Sequence, residues 1–232
     1  MLTISELKAM LDAYDGLIVD GHELSSGNLE QDTEPGTKPS VFYKVFEGWS
    51  PLIAHTCDKQ WSEFNERLLE HIRGMNLADQ DLDEALENIQ LDDSHWRWLN
   101  KSIIHRGDAY RWFFMVAEEK PQAACLIYHP KDSAIDGEPI FYIEYVAVAP
   151  WNRKNPMEVR RFKKVGSTIV QCASEYAITK LGLRPGYCLH ALPKAIPFYE
   201  SLGMKPFSDH DKADLPYYEL PEECYTTPGE CE

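Results

Sequence analysis

The sequence predicts an α/β fold of the α+β type: a mixed, mostly antiparallel sheet flanked by helices, preceded by a mainly helical N-terminal extension. Strand-like runs at 110–119, 122–130 and 140–149 follow one another on short connections, which is typical of an antiparallel meander. A helical pattern then begins near Val165 and ends at Gly182, and a further strand follows at 187–192. Strand, helix and strand in this order make the sheet a mixed one.

The remaining elements follow from local patterns. Thr3 and Glu6 have the spacing of a capping box for a helix at 3–14,. Apolar residues at helical spacing predict helices at 59–75, 79–91 and 194–202,. Short strands are predicted at 41–47, 204–207 and 217–220, and Ser, Gly, Pro and acids predict a loop at 24–40,.

These patterns divide the chain into three parts. Residues 1–92 form the N-terminal extension, residues 93–220 the α/β core, and residues 221–232 an acidic tail.

Composition limits the classes of function. The net charge of −15 argues against a large nucleic-acid interface and is consistent with a cationic partner,. No apolar run is long enough for a membrane span, and residues 1–16 lack the basic and apolar regions of a signal peptide,. These observations predict a cytoplasmic protein. The eight histidines show no metal-ligand spacing, so no metal is expected,.

Glu144 is the candidate acid–base residue. Strand alternation places it with Tyr142, Val146 and Val148 on one face,. A carboxylate among aromatic and branched apolar residues is suited to act as a general base. The alternative is a structural acid paired with an arginine or lying at a sheet edge.

A basic loop at 161–167 precedes the helix and predicts an anion site. Arg161, Lys163 and Lys164 supply positive charge, and Gly166 permits close backbone approach,. Cations at a helix N-terminus are unfavourable unless an anion joins them. The loop lacks the glycine and Gly-Lys-Ser/Thr order of a Walker A motif.

Three segments in this order resemble the GNAT superfamily of acyl-CoA-dependent N-acyltransferases, over about residues 93–220. IEYVAVAP (143–150) resembles the family's central strand, and Arg161-x-x-Lys164-x-Gly166 is similar to its pyrophosphate loop. AIPFYESLGM (195–204) matches its Ala-x-x-Phe/Leu-Tyr-x-x-x-Gly-Phe/Met segment.

The resemblance implies transfer of an acetyl group from acetyl-CoA to a primary amine by direct attack, with no metal. Glu144 would be the general base, Tyr199 the general acid, and Tyr142 would line the amine pocket. The implied acetyl-CoA site comprises Val146 and Val148 for pantetheine and Arg161, Lys163, Lys164, Val165, Gly166 and Ser167 for the pyrophosphate.

Two positions depart from the family pattern. Lys164 replaces the first loop glycine, and Leu192 replaces an asparagine that commonly touches CoA. Two alternatives therefore stay open: a non-catalytic CoA-binding or protein-interaction domain of the same fold, and an effector that acetylates a protein. The acceptor, a small molecule or a protein, is expected to be cationic, and a homodimer stays open. His190 and Cys172 are expected to serve packing,.

Overall fold

The structure is a computed structural model that describes residues 3–13, 21–31, 40–75 and 77–225. Eight strands form one sheet in the order β1-β2-β3-β4-β5-β6-β8-β7. They are β1 (His22–Glu30), β2 (Ser40–Glu47), β3 (Tyr110–Ala117), β4 (Lys120–Asp132), β5 (Pro139–Val148), β6 (Tyr187–His190), β7 (Lys205–Pro206) and β8 (Tyr217–Glu219). The helices are α1 (Ile4–Asp12), α2 (Pro51–Gly74), α3 (Asp79–Glu87), α4 (Trp98–Ile104), α5 (Val165–Leu181) and α6 (Ile196–Ser201).

The sheet is mixed, because β5 and β6 are parallel while the other neighbouring strands are antiparallel. Helix α5 connects β5 to β6, as a parallel pair requires. The predicted mostly antiparallel sheet flanked by helices is confirmed. The strands predicted at 41–47, 110–119, 122–130, 140–149 and 187–192 all form, with ends within two residues of the predicted ones.

Each face of the sheet carries its own apolar core. On the α5 face, Phe113, Cys125 and Ile127 pack with Ile169 and Ala173 of the helix. On the α2 face, Phe114 and Leu126 join a second core to which α2 and α4 contribute; it includes Ile53, Trp61, Phe64, Trp98 and Trp112. Alternation along β3 and β4 thus supplies both cores from the same strands.

Three boundaries in the N-terminal region were predicted wrongly, one of them the end of α3, which lies at Glu87 rather than at residue 91. Residues 24–30, expected as loop, belong to strand β1, whereas residues 32–39 of that loop lie outside the described residues. Helix α2 begins at Pro51 rather than at residue 59, because Ser50 caps it with a side-chain hydrogen bond to the Ile53 amide. Strands β1 and β2 extend the core sheet, which therefore continues across the boundary predicted at 92/93.

The two ends of the chain are described to different extents. Thr3 and Glu6 form the predicted capping box of α1. Of the predicted acidic tail, residues 221–225 are described and residues 226–232 lie outside the described ranges. None of the helices in those ranges is long and apolar enough to cross a membrane.

The two-sided core makes a direct stability prediction. Phe114 is fully buried and stacks on Trp112, with ring centroids 5.6 Å apart. Its replacement by alanine should lower the free energy of unfolding by about 3–5 kcal/mol, because the cavity cannot be filled from either side. Phe42 of β2 is 55% exposed, so Phe42→Ala is the matched control and should change stability by less than about 1 kcal/mol,.

Urea unfolding of both variants measures the difference through the midpoint at unchanged m-value. Equal losses at Phe114 and Phe42 would contradict the described burial.

Candidate active site

A β-bulge at Glu144 reorganises the middle of β5. Tyr145 lies opposite Leu126 and Ile143 opposite Ile127, so Glu144 has no residue opposite it on β4. A residue inserted in this way bends the strand and interrupts the alternation of faces. The bulge therefore decides where the Glu144 side chain can lie.

The predicted face assignment along β5 was wrong for this reason. Ile143 packs in the α5-face core together with Val146 and Val148, whereas Tyr145 packs on the α2 face. Tyr142 lies opposite Tyr128, which is two residues from Leu126 and so shares the α2 face. Tyr142 and Tyr145 consequently share a face although they are three positions apart, which a regular strand does not allow.

Strand β6, the parallel partner of β5, stops pairing with β5 just before the bulge at Glu144. β6 pairs with β5 only through Phe141, Tyr142 and Ile143. Beyond Ile143 the edge of β5 that faces away from β4 has no strand beside it. We call the space along residues 144–148 the β5/β6 gap; at about 3.3 Å per residue its edge is roughly 13 Å long.

Backbone groups of β5 point into this gap. Ala149 donates its N–H to the Gln122 carbonyl of β4 at 2.8 Å. Alternate residues direct their backbone groups to the same side, so Val146 and Val148 direct theirs away from β4. The Val148 carbonyl accepts hydrogen bonds from Arg153 Nε at 3.0 Å and Nη2 at 2.7 Å. The Val148 carbonyl, one of the backbone acceptors that face the gap, is thus already hydrogen-bonded within the protein.

Glu144 lies among polar and aromatic groups of the α2 face. Burial raises the pKa values of Tyr142, Tyr145 and Tyr110, and the Glu144 carboxylate raises them further. Burial lowers the pKa values of His105 and His190, and the carboxylate opposes both shifts. Groups from β3, β5, β6 and the end of α4 therefore converge on one carboxylate.

Tyr142 of β5 and His190 of β6 form a hydrogen-bonded pair within this cluster. Tyr142 Oη lies 2.7 Å from His190 Nδ1, and His190 Nε2 lies 2.9 Å from the His210 carbonyl oxygen. A carbonyl only accepts, so neutral His190 carries its proton on Nε2 and donates it to His210. Nδ1 then accepts from the Tyr142 hydroxyl. His190 packs against the rings of Tyr142 and Tyr217, as expected, and in addition orients the Tyr142 hydroxyl.

Lys101 of α4 completes the cluster. Its Nζ lies 3.2 Å from the ring centroid of Tyr145 and 5.1 Å from that of Trp96. Burial lowers the pKa of Lys101 to about 8, although the Glu144 and Asp58 carboxylates oppose the shift. Neither the spacing nor the composition of WLNKSII indicated a site residue, and only the packing of α4 brings Lys101 beside β5.

The N-terminus of α5 lies at the other end of the gap. Its cap residue Lys164 makes no side-chain hydrogen bond to the first turn. In the part of the chain that is described, the N–H groups of Val165, Gly166 and Ser167 have no protein acceptor. A Cβ placed on Gly166 would lie 3.4 Å from Val148, so the helix start adjoins the gap edge. Unsatisfied N–H groups and the helix dipole favour an anion here.

Lys164 adopts an unusual backbone conformation. Its φ of +59° and ψ of +13° are left-handed. Glycine adopts this region without steric penalty, whereas other L-residues are strained there by about 1–2 kcal/mol. The departure at Lys164 therefore keeps the backbone shape of a glycine and adds an exposed ammonium.

Two loop residues already have protein partners. The Lys163 amide donates to the Glu30 carbonyl at 3.0 Å, so this N–H, expected among the anion donors, points to β1 instead. Arg161 forms an ion pair with Glu118. The uncapped amides of Val165, Gly166 and Ser167 thus carry the anion site more directly than the loop before them.

Tyr199 lies on the α5 face. It is 8% exposed and belongs to the same core as Cys125, which is opposite Val146 across the β4–β5 pair. Burial raises the pKa of Tyr199, and a charge on Cys125 would raise it further. The hydroxyl therefore stays protonated at neutral pH. Tyr199 therefore packs on the face of the sheet opposite to Tyr145.

The segment 87–93 crosses the α2-face side of the gap. After β6, Lys194 donates from Nζ to the carbonyls of Glu87 and Ile89 at 2.7 and 2.9 Å. After β5, Arg153 donates to the Gln90 carbonyl at 2.9 Å and pairs with Asp93. The segment is thus held by one residue that follows β5 and by one that follows β6.

Within the described ranges, no three His, Cys, Asp or Glu side chains are grouped closely enough to hold a metal ion.

Comparison with known proteins gives likeness of fold. No protein-family model and no curated protein matches the chain. Similar solved structures include PaiA N-acetyltransferase from Thermoplasma acidophilum in complex with coenzyme A, with 12% identity, 75% of this chain and 97% of that chain covered, and a TM-score of 0.45. A putative GNAT-family acetyltransferase from Desulfovibrio desulfuricans has 14% identity, coverage of 78% and 99%, and a TM-score of 0.45. The ribosomal-protein-S18-alanine N-acetyltransferase from Escherichia coli has 18% identity, coverage of 67% and 95%, and a TM-score of 0.41.

The strain at Lys164 makes the second prediction. Lys164→Gly should be more stable than Lys164→Ala by about 1 kcal/mol, because both lose the charge and only glycine relieves the left-handed conformation. Lys180 in the last turn of α5 is the matched control, where alanine should be the more stable by about 0.5–1 kcal/mol,. Thermal and urea unfolding of the four variants would give this reversal of order; the same order at both positions would contradict it.

Proposed function

We propose that the protein is a GNAT-type N-acetyltransferase that transfers the acetyl group of acetyl-CoA to a primary amine. The observation that carries the proposal is the β5/β6 gap, which joins the Glu144 bulge to the uncapped N-terminus of α5. Few other ligands combine an extended amide-bearing arm with a pyrophosphate at one end and a reactive thioester at the other.

Acetyl-CoA fits this gap in one direction. The pyrophosphate would accept hydrogen bonds from the amides of Val165, Gly166 and Ser167, with Lys163, Lys164 and Arg161 as the nearby cations,. The pantetheine amides would pair with the backbone of Val146 and the N–H of Val148. The thioester would then lie near Glu144, about 13 Å from the helix end, since each strand residue spans about 3.3 Å.

In this proposal the general base and the general acid act from opposite faces of the sheet. The amine would enter beside Glu144, lined by Tyr142, and Glu144 would remove its proton directly or through water. The neutral nitrogen attacks the thioester carbonyl carbon, and the C–S bond breaks as the C–N bond forms. Tyr199, protonated on the α5 face, would donate a proton to the departing CoA thiolate.

The acceptor pocket is not uniformly acidic. Glu144 lies between Tyr145, against which Lys101 packs, and Tyr142, whose ring centroid is 5.2 Å from Lys212 Nζ. A cationic acceptor, expected from the net charge of −15, would therefore have to approach two lysines as well as the carboxylate. The acceptor class is better tested over neutral, cationic and zwitterionic amines alike.

Two contacts favour the alternative of a protein-interaction domain of the same fold. Arg153 occupies the Val148 carbonyl, and Arg161 is paired with Glu118. Both would weaken cofactor binding, and neither affects Glu144. The alternative is separated from the enzyme by measuring binding and turnover independently.

Acetyl-CoA should raise the melting temperature of the protein. Binding at 100 times Kd contributes about 2.7 kcal/mol, which is roughly 5–10 °C for a chain of this length. Lys164→Ala and Lys164→Gly should lose affinity alike if the ammonium contacts the pyrophosphate, whereas Lys180→Ala on the same helix should not. A melting temperature that is insensitive to millimolar acetyl-CoA would rule out the proposed cofactor.

Glu144→Gln should lower kcat by about 10²- to 10⁴-fold and leave the Kd of acetyl-CoA unchanged, because the amide keeps the shape but cannot accept a proton. Thiol release from acetyl-CoA, screened over polyamines, aminoglycosides, amino acids and peptides, provides the rate. Glu66→Gln in the exposed face of α2 is the matched control and should behave as the unaltered protein. Equal losses in kcat and affinity would identify Glu144 as a structural acid.

A further inference from the structure

Lys101 combines partial burial with aromatic contacts, whereas Lys212, which also lies over an aromatic ring, is exposed. Lys44 pairs with Glu23 and Lys205 with Glu223, and Lys194 donates to two carbonyls. Lys101 is half-buried, and among the described residues it has neither a carboxylate within ion-pair distance nor a hydrogen-bond acceptor. The direct contacts of its ammonium are with the faces of Tyr145 and Trp96.

Aromatic faces hold a cation without neutralising or hydrogen-bonding it. Burial without an acceptor disfavours the charged form, and the pKa of Lys101 falls to about 8,. A substantial fraction of this amine is therefore neutral near pH 8, and a neutral amine is the nucleophile in acyl transfer. The exposed lysines Lys8, Lys59 and Lys180 have no comparable burial.

The position of the Lys101 ammonium matters as much as its protonation state. Its ammonium packs against Tyr145, the residue that follows Glu144, and interacts electrostatically with the Glu144 carboxylate. It lies on the α2 face, from which the amine acceptor of the proposed reaction would enter. The side chain thus places a primary amine beside the candidate base without any external acceptor.

We propose that Lys101 is itself an acetyl acceptor, so that the protein acetylates its own chain at this position when acetyl-CoA is bound. The proposal rests on the proposed function, since acetyl-CoA supplies the thioester. Lys101 Nζ attacks the carbonyl carbon, the C–N bond forms and the C–S bond breaks. The proton from Nζ passes to Glu144, and the CoA thiolate leaves and is protonated by Tyr199 or water.

The surrounding charges determine the pH dependence. Lys101 faces Glu144 and Tyr145 of β5, Asp58 of α2, and His105 at the end of α4. Glu144 and Asp58 hold the ammonium charged, and burial opposes them. Acetylation of Lys101 should therefore increase roughly tenfold per pH unit below the Lys101 pKa and level off above about 8,.

The test needs acetyl-CoA and no other substrate. The full chain is incubated with acetyl-CoA across pH 6 to about 9.5, a range that brackets the pKa, and acetyl occupancy of each lysine is measured by peptide mass spectrometry. Lys101 should be acetylated before Lys8, Lys59 and Lys180, with saturation in acetyl-CoA and inhibition by desulfo-CoA. Glu144→Gln should slow the Lys101 reaction by about 10²-fold or more. Lys101→Arg, which keeps the cation against Tyr145, should remove the first acetyl group while keeping the acetyl-CoA melting shift.

Acetyl phosphate is the chemical control, because it acetylates reactive amines without a CoA site. If it modifies Lys101 as acetyl-CoA does, with no effect of Glu144→Gln or desulfo-CoA, the reaction is intrinsic lysine reactivity and the proposal is wrong. A melting shift with Lys101 unmodified overturns self-acetylation and leaves the proposed function intact. Absence of any melting shift overturns both.

Discussion

The bulge at Glu144 is the constraint on which the rest of the site depends. A regular β5 would alternate through position 144 and direct its carboxylate toward the same core as Val146, where a charge would be costly,. The inserted residue lets Ile143 and Val146 both pack under α5 while Tyr142 and Tyr145 both face α2. One strand thereby completes an apolar core on one face and places aromatic residues around Glu144 on the other.

The bulge also coincides with the end of the β5–β6 pairing at Ile143. Parallel strands joined through a helix need that helix to return to the start of the next strand. Helix α5 therefore begins at the far end of β5, and its N-terminus lies beside Val148. The unpaired strand edge and the unsatisfied helix amides thus follow from one topological fact. Lys164, which precedes the first turn of α5, adopts a strained left-handed conformation at the start of this helix.

The sequence was most informative where burial is two-sided or periodic. Strands β3, β4 and β5 were predicted within two residues because aromatic and branched residues dominate them,. β1 was missed because it is an edge strand in which Leu29 alone is buried, so HELSSGNLE has no apolar pattern. Ser50 and Pro51, an N-cap residue followed by a proline at N1, mark the start of α2 in the sequence, although the helix was predicted to begin at residue 59,.

The site was predicted less completely than the fold, for a physical reason. A bulge leaves no mark in strand alternation, so the faces of Glu144, Val146 and Val148 could not be assigned correctly. His190 and Lys101 are distant in sequence from Glu144, and only tertiary packing brings them to it. Motif spacing indicated the anion loop and Tyr199, but the partners that already occupy Arg161 and the Lys163 amide come from Glu118 and Glu30.

Local and overall charge act at different ranges. The net charge of −15 generates a field that attracts cations from solution, but at physiological ionic strength it is screened beyond about 8 Å,. The charged groups described around Tyr142 and Tyr145 are the Glu144 carboxylate and the ammonium groups of Lys101 and Lys212. A cation attracted to the surface would therefore be repelled by these two lysines near Glu144. An acceptor of the proposed reaction that lost its proton on entry would meet both conditions, because the lysines would not repel a neutral amine.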